Sequence, residues 1–390
     1  MQKIVIVGGG AIGSSIAYHL AVHPRFRGSV TVVERDPTYS MASSSLSASS
    51  IREQFSTPLN IAMSQFGLAF LRNAADALAV EGDRPQLGLR LPGYLFLASE
   101  AGMAVLRANH EVQKAAGADV ALLEPAALKA RFPWLSTDGV VAGSLGLSRE
   151  GWFDGPALLQ AFRRKARSLG VTYVAQDAAG FEQAGGRVTG VRLPDGTVLA
   201  CDLAVNAAGP WSARVASFLG IDLPVRARKR MVFVIACPDK LPDCPLLIDP
   251  TGIWLRPEGA GFICGRSPGD GEDDPDEPPL EVDETMFHER IWPVLAERVP
   301  ALERLKITGS WAGYYELNLF DHNGVVGPHP ATPNVIFATG FSGHGMQHSP
   351  AVGRGVAELI ADGSFTTLDL SPLALSRLVE GRKLVERNIV

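Results

Sequence analysis

The strongest constraint in the sequence is a glycine-rich turn between two short apolar runs near the N-terminus. Residues 3–7 are apolar and rich in β-branched side chains, and Gly8, Gly10 and Gly13 follow before a helical stretch. Glycines in this spacing permit a tight turn, a close approach of pyrophosphate to the backbone, and close packing of helix on strand. The helix N-terminus then presents free N–H groups to phosphate. The sequence therefore predicts a dinucleotide site here.

An acidic residue at the end of the second apolar run completes this pattern. Residues 30–33 form that run, and Glu34 follows about 20 residues after Gly13, the spacing at which a carboxylate binds the ribose hydroxyls of a dinucleotide. Because a free carboxylate would repel a 2′-phosphate, we expect an unphosphorylated ribose. Arg35 is predicted to flank the adenosine. The pattern by itself leaves NAD and FAD open.

Length and composition limit the class of protein. The chain has 390 residues, of which 46% are hydrophobic, and this length favours two domains or one domain with an insertion. The net charge of −5 gives no electrostatic reason to bind nucleic acid. No signal peptide is recognised, and no run approaches the ~20 apolar residues that span a bilayer. A cytoplasmic location is predicted, with a peripheral membrane contact left open.

The cysteines give no sign of a disulfide framework or a metal centre. They are scattered along the chain without a Cys-x-x-Cys pair. The sequence predicts reduced, buried thiols and no metal site. The four positions are Cys201, Cys237, Cys244 and Cys264.

Structural predictions can also be made for three internal segments. Residues 40–50 are mostly small, so their backbone could lie close to a flat cofactor, with a flexible loop as the alternative. Residues 88–98 are predicted to form strand, turn and strand, and they interrupt the nucleotide-binding pattern, which indicates a second domain. Residues 270–284 are acidic and contain three prolines, and are predicted to form a solvated loop.

A second strand–glycine–helix unit lies near the C-terminus. Residues 334–339 are predicted to form a strand, residues 340–345 a glycine turn, and residues 346–360 a helix. Ligands bind at such a helix N-terminus in open α/β sheets. Its positive dipole end could stabilise negative charge on a reduced flavin.

Three segments together resemble the D-amino-acid oxidase-like superfamily of FAD-dependent oxidoreductases. They are the opening glycine motif with Glu34, residues 206–212 (Asn-Ala-Ala-Gly-Pro-Trp-Ser) and residues 340–345 (Gly-Phe-Ser-Gly-His-Gly). The closing segment is similar to the sarcosine oxidase and dimethylglycine dehydrogenase side, and residues 321–359 are most similar to FAD-dependent oxidoreductase domain proteins of that side. The resemblance covers essentially the whole chain.

This resemblance implies both a fold and a cofactor. The fold class is α/β with mixed α+β character: a Rossmann-like FAD-binding domain with an inserted mixed-sheet substrate domain that roofs the flavin, as in sarcosine oxidase. The FAD-binding domain is assigned residues 1–80, 148–222 and 321–390, and the roof domain residues 81–147 and 223–320. Some relatives attach flavin through cysteine or histidine. Residues 313–315 contain no cysteine and no histidine lies between residues 36 and 52, so non-covalent FAD is predicted.

The implied activity is oxidation of the C–N bond in a secondary or tertiary amine that bears a carboxylate. Hydride passes to flavin N5 and the imine hydrolyses. The alternative is an FAD-containing assembly or scaffold protein of a respiratory complex, with little turnover of small amines. A tRNA-modifying flavoprotein is disfavoured by the acidic charge balance.

Sarcosine oxidases hold the substrate carboxylate with an arginine and a lysine. The arginine matches Arg52, whereas the lysine position is Gln347, a neutral donor. A second anchor from the roof domain is therefore open, and the candidates are Arg228, Lys229, Arg230, Arg256 and Arg266. The lysine that helps oxygen accept electrons in oxidases aligns with Ile263. Its absence favours a dehydrogenase whose acceptor is a protein or quinone.

The resemblance also implies the site residues. His344 could be a base or charge partner, although a role in positioning the flavin ring is preferred, and Trp254 and His348 are weaker candidates. The predicted catalytic residues are Arg52, His344, Gln347 and Tyr315. The predicted cofactor-binding residues are Gly8, Gly10, Ala11, Ile12, Gly13, Glu34, Arg35, Ser43, Ser44, Ser45, Ala208, Gly209, Trp211, Gly340, Gly343, His344, Gly345, Met346 and Gln347.

Overall fold

Two large β-sheets, one mostly parallel and one mostly antiparallel, organise the chain. The structure is a computed structural model that describes residues 1–269 and 271–388. Its strands are β1 (Gln2–Val7), β2 (Gly28–Val33), β3 (Ser50–Ile51), β4 (Tyr94–Ala98), β5 (Val120–Leu123), β6 (Ala142–Gly146), β7 (Gly151–Trp152), β8 (Thr172–Val174), β9 (Gly180–Ala184), β10 (Arg187–Arg192), β11 (Val198–Ala200), β12 (Leu203–Asn206), β13 (Val225–Ala236), β14 (Leu246–Ile248), β15 (Ile253–Glu258), β16 (Gly261–Arg266), β17 (Lys306–Asn318), β18 (Val325–His329) and β19 (Thr332–Thr339).

Helices cover the faces of both sheets. Single turns of tighter or wider helix also occur at Glu100–Gly102, Gly209–Trp211, Phe287–Ile291, Pro300–Arg304 and Ser371–Leu373. The α-helices are α1 (Ala11–Val22), α2 (Ser43–Leu46), α3 (Pro58–Ala77), α4 (Met103–Ala115), α5 (Pro125–Arg131), α6 (Gly155–Ser168), α7 (Ser212–Ser217), α8 (Glu284–Met286), α9 (Trp292–Arg298), α10 (Gly345–Asp362) and α11 (Ser376–Val379).

The first sheet has the strand order β18-β19-β12-β1-β2-β8, and every neighbouring pair is parallel except β18 with β19. Strand β1 lies inside the sheet, and its apolar side chains are buried on both faces, as a covered parallel strand requires. Helix α1 packs between α10 and α6 on one face. The antiparallel β9–β11 meander and α7 cover the other face.

The second sheet has the strand order β17-β13-β16-β15-β14-β4-β6-β5, and only β14 and β4 run parallel. Its apolar face packs on α5, α9 and the turn Phe287–Ile291. The predicted fold class is therefore confirmed. Strands of the first sheet fall within residues 1–80, 148–222 and 321–390, and those of the second within 81–147 and 223–320. The domain bounds themselves stay a prediction.

One segment prediction needs correction. Residues 88–98 form only one strand, Tyr94–Ala98, because Pro92 has no N–H to donate and Gly93 takes φ +110° to turn the chain. The acidic segment is a mostly exposed loop over residues 271–283, as predicted, and three of its carboxylates also pair with arginines of the second sheet. Asp270 lies outside the described residues.

The structure also bears on the thiols and on membrane insertion. All four cysteines are free; Cys237 is half-buried and the other three are buried. Among the described residues, no helix has the length and apolar composition needed to cross a bilayer, and no cluster of three metal-ligating side chains was found.

A buried ion pair joins the segment at residues 321–323 to the C-terminal segment at residues 377–384. Asp321 accepts hydrogen bonds from Arg377 Nε at 2.8 Å and from Leu384 N at 3.0 Å. Asn323 donates its own N–H to Asp321 at 3.2 Å. Both charged side chains are at most 1% exposed, so removal of one would leave the other as an unpaired buried charge.

We therefore expect Asp321→Ala to lower the free energy of unfolding by about 3–5 kcal/mol, measured by denaturant titration. The matched control is Glu380→Ala, which breaks an exposed pair with Arg382 and should cost less than about 1 kcal/mol. Equal effects of the two substitutions would contradict this account.

Candidate active site

A cavity of about 680 Å³ lies between the two sheets. Its wall contains the glycine turn after β1, residues around α2, the ends of β2 and β12, parts of β13 and β17, and the start of α10. Because β1, β2, β12 and β19 are parallel, their carboxyl ends and the helices that follow them meet at one edge of the sheet. Both glycine turns that the sequence singled out therefore face the same space.

The turn after β1 leaves no room for side chains. A Cβ at Gly8 would lie 2.3 Å from Ala207 O, and one at Gly13 would lie 1.9 Å from Gly8 O. The turn can approach the residue that follows β12, and the start of α1 can pack on the turn, only because these two residues are glycines. Ser44 Oγ accepts a hydrogen bond from Ala11 N at 3.0 Å, which places a polar acceptor where a phosphate oxygen would bind the helix N-terminus. These residues fit a diphosphate.

Glu34 lies at the edge of this turn. Its Oε2 accepts from Gly9 N at 2.8 Å and its Oε1 from Asp36 N at 2.9 Å, while burial raises the pKa of the carboxyl. Each oxygen retains a lone pair for a ribose hydroxyl. The Arg35 guanidinium stands 3.6 Å from the centroid of the Trp211 ring, and both line the cavity. This end of the cavity therefore fits an adenosine.

Three predicted cofactor residues do not line the described cavity. Gly13 lies beneath the turn, where it touches Gly8 O. Gly340 faces β13 and β17 and donates its N–H to Glu316 Oε2 at 3.1 Å. Ser45 points away because the 3.6-residue period of α2 places it opposite Ser43. The other predicted residues do line it: Gly8, Gly10, Ala11, Ile12, Glu34, Arg35, Ser43, Ser44, Ala208, Gly209, Trp211, Gly343, His344, Gly345, Met346, Gln347, Arg52 and Tyr315.

The second glycine turn packs directly on Tyr315. Gly343 has φ +86°, and a Cβ there would lie 2.3 Å from the Tyr315 ring. The Tyr315 hydroxyl donates to Ser342 O, and burial raises the pKa of this phenol to about 12. Helix α10 begins immediately afterwards without a side-chain cap. Its first N–H groups therefore remain available at the cavity wall.

Arg52 and Gln347 are held together beside this helix N-terminus. Arg52 is 4% exposed, and its guanidinium donates to Gln54 O and, at 2.6 Å, to Asn388 O. Arg52 N donates to Gln347 Oε1 at 2.8 Å. Arg52 N is a donor, so the atom of the Gln347 amide that faces it must be the oxygen. The Gln347 Nε2 group therefore points away from Arg52 N, and no described residue accepts a hydrogen bond from it. No described carboxylate forms an ion pair with Arg52.

Two buried histidines lie next to Arg52. His344 and His348 have ring centroids 5.1 Å apart, and Phe55 packs on both at 5.2 and 5.3 Å. Burial, reinforced by the Arg52 charge, lowers the pKa of His344 to about 3. Neither of its ring nitrogens has a partner among the described residues. His344 is therefore neutral and a weak base, which supports a positioning role. His348 hydrogen-bonds Ser64 at 3.1 Å and is off the described wall.

Sequence analysis missed a buried carboxylate between the two glycine turns. Glu316 lines the cavity, and its Oε2 accepts from Thr339 Oγ1 at 3.0 Å and from Gly340 N at 3.1 Å. Burial raises its pKa. An isolated glutamate in a strand carries no recognisable pattern, so no signal in the sequence indicated this role.

The roof cations are already engaged. Arg230 and Arg266 line the cavity, and acidic side chains bind both: Asp274 accepts from Arg230 Nη1 at 2.8 Å and Nη2 at 3.1 Å, and Glu272 from Arg266 Nη1 at 2.7 Å. The other three candidates are off the described wall. Arg228 pairs with Asp276. Lys229 donates a hydrogen bond to Glu281 O, and Arg256 donates one to Ala48 O.

The position aligned with the oxidase lysine is also off the cavity. Ile263 is 1% exposed in the core and is absent from the described cavity wall, whereas Trp254 of the adjacent strand lines it. The predicted alignment of Ile263 with the lysine of oxidases is therefore not supported. None of the described wall residues is a lysine.

Comparison with known proteins agrees with this geometry. The sequence matches the family model described as FAD dependent oxidoreductase over residues 3–359. The chain belongs to this family of FAD-dependent oxidoreductases. FAD-dependent oxidoreductase domain-containing protein 1 of Xenopus laevis is 50% identical, and the alignment covers 99% of this chain and 84% of that protein. The predicted family and the dependence on FAD are thereby confirmed.

More distant members of the family have named activities. The mitochondrial dimethylglycine dehydrogenase of Rattus norvegicus is 27% identical over 95% of this chain and 44% of that protein. The crystal structure of L-proline dehydrogenase from P. horikoshii superimposes with a TM-score of 0.85 and 26% identity, covering 98% of this chain and 99% of that chain. Glycine oxidase from Geobacillus kaustophilus, at a TM-score of 0.82 and 23% identity over 97% and 99% of the two chains, supports the fold alone.

The FAD site can be tested at the glycine turn. We expect Gly13→Ala to lower the flavin content of the purified oxidoreductase at least about tenfold, because the new Cβ would overlap Gly8 O. Flavin absorbance relative to protein absorbance gives the content, and circular dichroism checks folding. Gly102→Ala is the control, since its Cβ would meet only ordinary contacts at 3.7 Å. Full flavin content in Gly13→Ala would be inconsistent with a diphosphate bound at this turn.

Proposed function

We propose that this chain uses non-covalent FAD to oxidise the C–N bond of a secondary or tertiary amine that carries a carboxylate. The observation that carries the proposal is Arg52, a buried guanidinium on the cavity wall that has only carbonyl partners among the described residues. The two carbonyls accept one hydrogen bond each from Nη1 and Nη2 but do not neutralise the charge. A buried cation without an anion costs several kcal/mol, and a substrate carboxylate would supply that anion.

Gln347 supports the same interpretation from the adjacent helix. The contact between Arg52 N and Gln347 Oε1 fixes the amide, so its Nε2 group can donate to a carboxylate oxygen bound at the guanidinium. The free N–H groups at the start of α10 also favour negative charge. One cation and one neutral donor therefore replace the arginine and lysine of sarcosine oxidases.

Bound FAD would supply the hydride acceptor, and the imine product would hydrolyse in water to an amine and a carbonyl compound. The chain's own contribution is orientation and exclusion of water. Tyr315 fixes the turn at Gly343, and His344 offers neutral ring nitrogens beside the reacting centre. Holding a donor C–H bond in line with an acceptor is the main requirement of this chemistry.

The residues of the described cavity wall support two further parts of the proposal, which are the way FAD is attached and the kind of electron acceptor. No cysteine lies on the described cavity wall, which supports non-covalent attachment. The absence of lysine from the same described residues supports a dehydrogenase with a protein or quinone acceptor. Two of the similar proteins are named dehydrogenases. The cytoplasmic location stays a prediction.

The direct test is anaerobic titration of the holoprotein with N-substituted amino acids while flavin absorbance is recorded. Bleaching by a carboxylate-bearing amine, and not by the corresponding decarboxylated amine, is the expected result. Admission of air then separates an oxidase from a dehydrogenase. Flavin that dithionite reduces but no amine reduces would instead favour the assembly or scaffold function.

Arg52→Gln should raise the amine concentration for half-maximal flavin reduction about 100-fold, since hydrogen bonds to a charged group contribute about 1.5–3 kcal/mol each. FAD content should not change. Gln347→Lys should lower that concentration by restoring a second cation. Arg228→Gln, at an arginine off the described wall, is the control. An unchanged amine concentration at half-maximal reduction in Arg52→Gln would show that Arg52 does not bind the substrate carboxylate.

The pH dependence of flavin reduction should follow the pKa of the substrate amine and not the pKa of a protein side chain. The pKa values of His344, about 3, and of Tyr315, about 12, lie outside the working range. Burial raises the pKa of Glu150, which is off the described wall, to about 7, but only the neutral amine can donate hydride. Two amines whose pKa values differ by about 2 units should give reduction profiles displaced by the same amount. His344→Asn should leave the midpoints in place. A midpoint common to both amines would show that a protein group titrates instead.

A further inference from the structure

We propose that the site selects an amine with a single carboxylate and an apolar nitrogen substituent, which binds in a chamber formed by Tyr94, Leu246 and Trp254. This inference rests on the proposed function and names its substrate class. It depends on three observations: where the chamber lies relative to Arg52, what fixes its walls, and how the other cations of the cavity are neutralised.

The chamber begins one side chain away from the carboxylate anchor. Tyr94, Leu246 and Trp254 all line the cavity and belong to one apolar cluster. The Arg52 guanidinium lies 5.9 Å from the Tyr94 ring centroid and 5.6 Å from that of Phe96. Tyr94 and Phe96 stack at 5.2 Å, so the wall is rigid. A substituent next to a carboxylate held by Arg52 would therefore contact aromatic surface.

A glycine fixes the position of the largest wall residue. Trp254 on β15 pairs with Gly265 on β16, and a Cβ at Gly265 would lie 2.8 Å from Trp254 Cζ2 and 2.7 Å from Met231 O on β13. The indole can thus lie across β16 only while residue 265 has no side chain. The sequence at this strand therefore specifies the size of the chamber.

The other cations at the cavity wall do not offer a second anion site. The Arg230 guanidinium lies 4.9 Å from the Tyr315 ring, and both of its terminal nitrogens bind Asp274. Arg228 Nε lies 3.9 Å from the same carboxylate. Arg266 is bound to Glu272 in the same way. A second substrate carboxylate would meet these acidic groups, and like charges repel. Of Arg52, Arg230 and Arg266, only Arg52 is therefore left without a carboxylate partner to bind the anion of a substrate.

This arrangement predicts an order among substrates. The efficiency of reduction is the rate constant for flavin reduction divided by the amine concentration at half-saturation. Each methylene buried in an apolar chamber should raise this efficiency about fourfold. N-isobutylglycine and N-benzylglycine should thus exceed N-methylglycine at least about tenfold. N-(carboxymethyl)glycine, which carries a second carboxylate, should not exceed N-methylglycine.

The experiment is anaerobic stopped-flow reduction of the holoprotein by these four amines, in the wild type and in two variants. Trp254→Ala should remove the largest wall residue of the chamber and reduce the preference for N-benzylglycine at least about fivefold, with FAD content unchanged. Asp274→Asn should release Arg230 and raise the efficiency with N-(carboxymethyl)glycine about tenfold without affecting N-methylglycine. Asp276→Asn is the matched control, because its partner Arg228 is off the described wall, and should change neither.

The outcomes separate this inference from the function on which it rests. A flat response along the apolar series would overturn the chamber, and fastest reduction by N-(carboxymethyl)glycine that is lost in Arg230→Gln would assign Arg230 to a second carboxylate instead. In both cases the oxidation of carboxylate-bearing amines would stand. Flavin that none of the amines reduces would overturn the proposed function and this inference together.

Discussion

The packing of α1 against α10 determines the geometry of the whole site. A Cβ at Gly353 would lie 2.1 Å from Ser15 Oγ, so the two helices approach as closely as their backbones allow. Each helix follows a parallel strand of the same sheet, β1 for α1 and β19 for α10. Their N-termini therefore open at one edge, side by side. This contact sets the separation between the two helix N-termini that line the cavity.

Charge in the cavity is arranged so that a few positive groups remain without anions. Glu34 and Glu316 accept backbone N–H groups and hold the two glycine turns in shape, while Asp274 and Glu272 neutralise the roof arginines. The positive features left on the described wall include the two helix N-termini, Arg52 and Arg35, which contacts the Trp211 ring and has no ion pair among the described residues. They match the charges of a diphosphate and of one carboxylate, so the protein's own acids define where anions can bind.

The sequence predicted the parts of the site that are local in the chain. The glycine turns, Glu34 and the closing helix each lie in one short motif, and the resemblance supplied Arg52 and Gln347. Ser45 is absent from the described cavity wall, and a run of small residues does not reveal the phase of a one-turn helix. The pairing of Arg230 with Asp274 joins residues 44 positions apart, and the chamber joins Tyr94 on β4 to Trp254 on β15. Such contacts depend on strand order and register, which no local pattern encodes.

Proton handling can be explained without a titrating base. Arg52 and burial together hold the pKa of His344 to about 3, and the same two influences act on an ammonium group bound near that guanidinium. Both disfavour its charged form, since desolvation and a nearby like charge lower the pKa of a cation. Binding of the carboxylate at Arg52 therefore promotes loss of the amine proton in the act of anchoring the substrate. The neutral amine that results is the species that can donate hydride, so one buried arginine both positions the substrate and prepares it for oxidation.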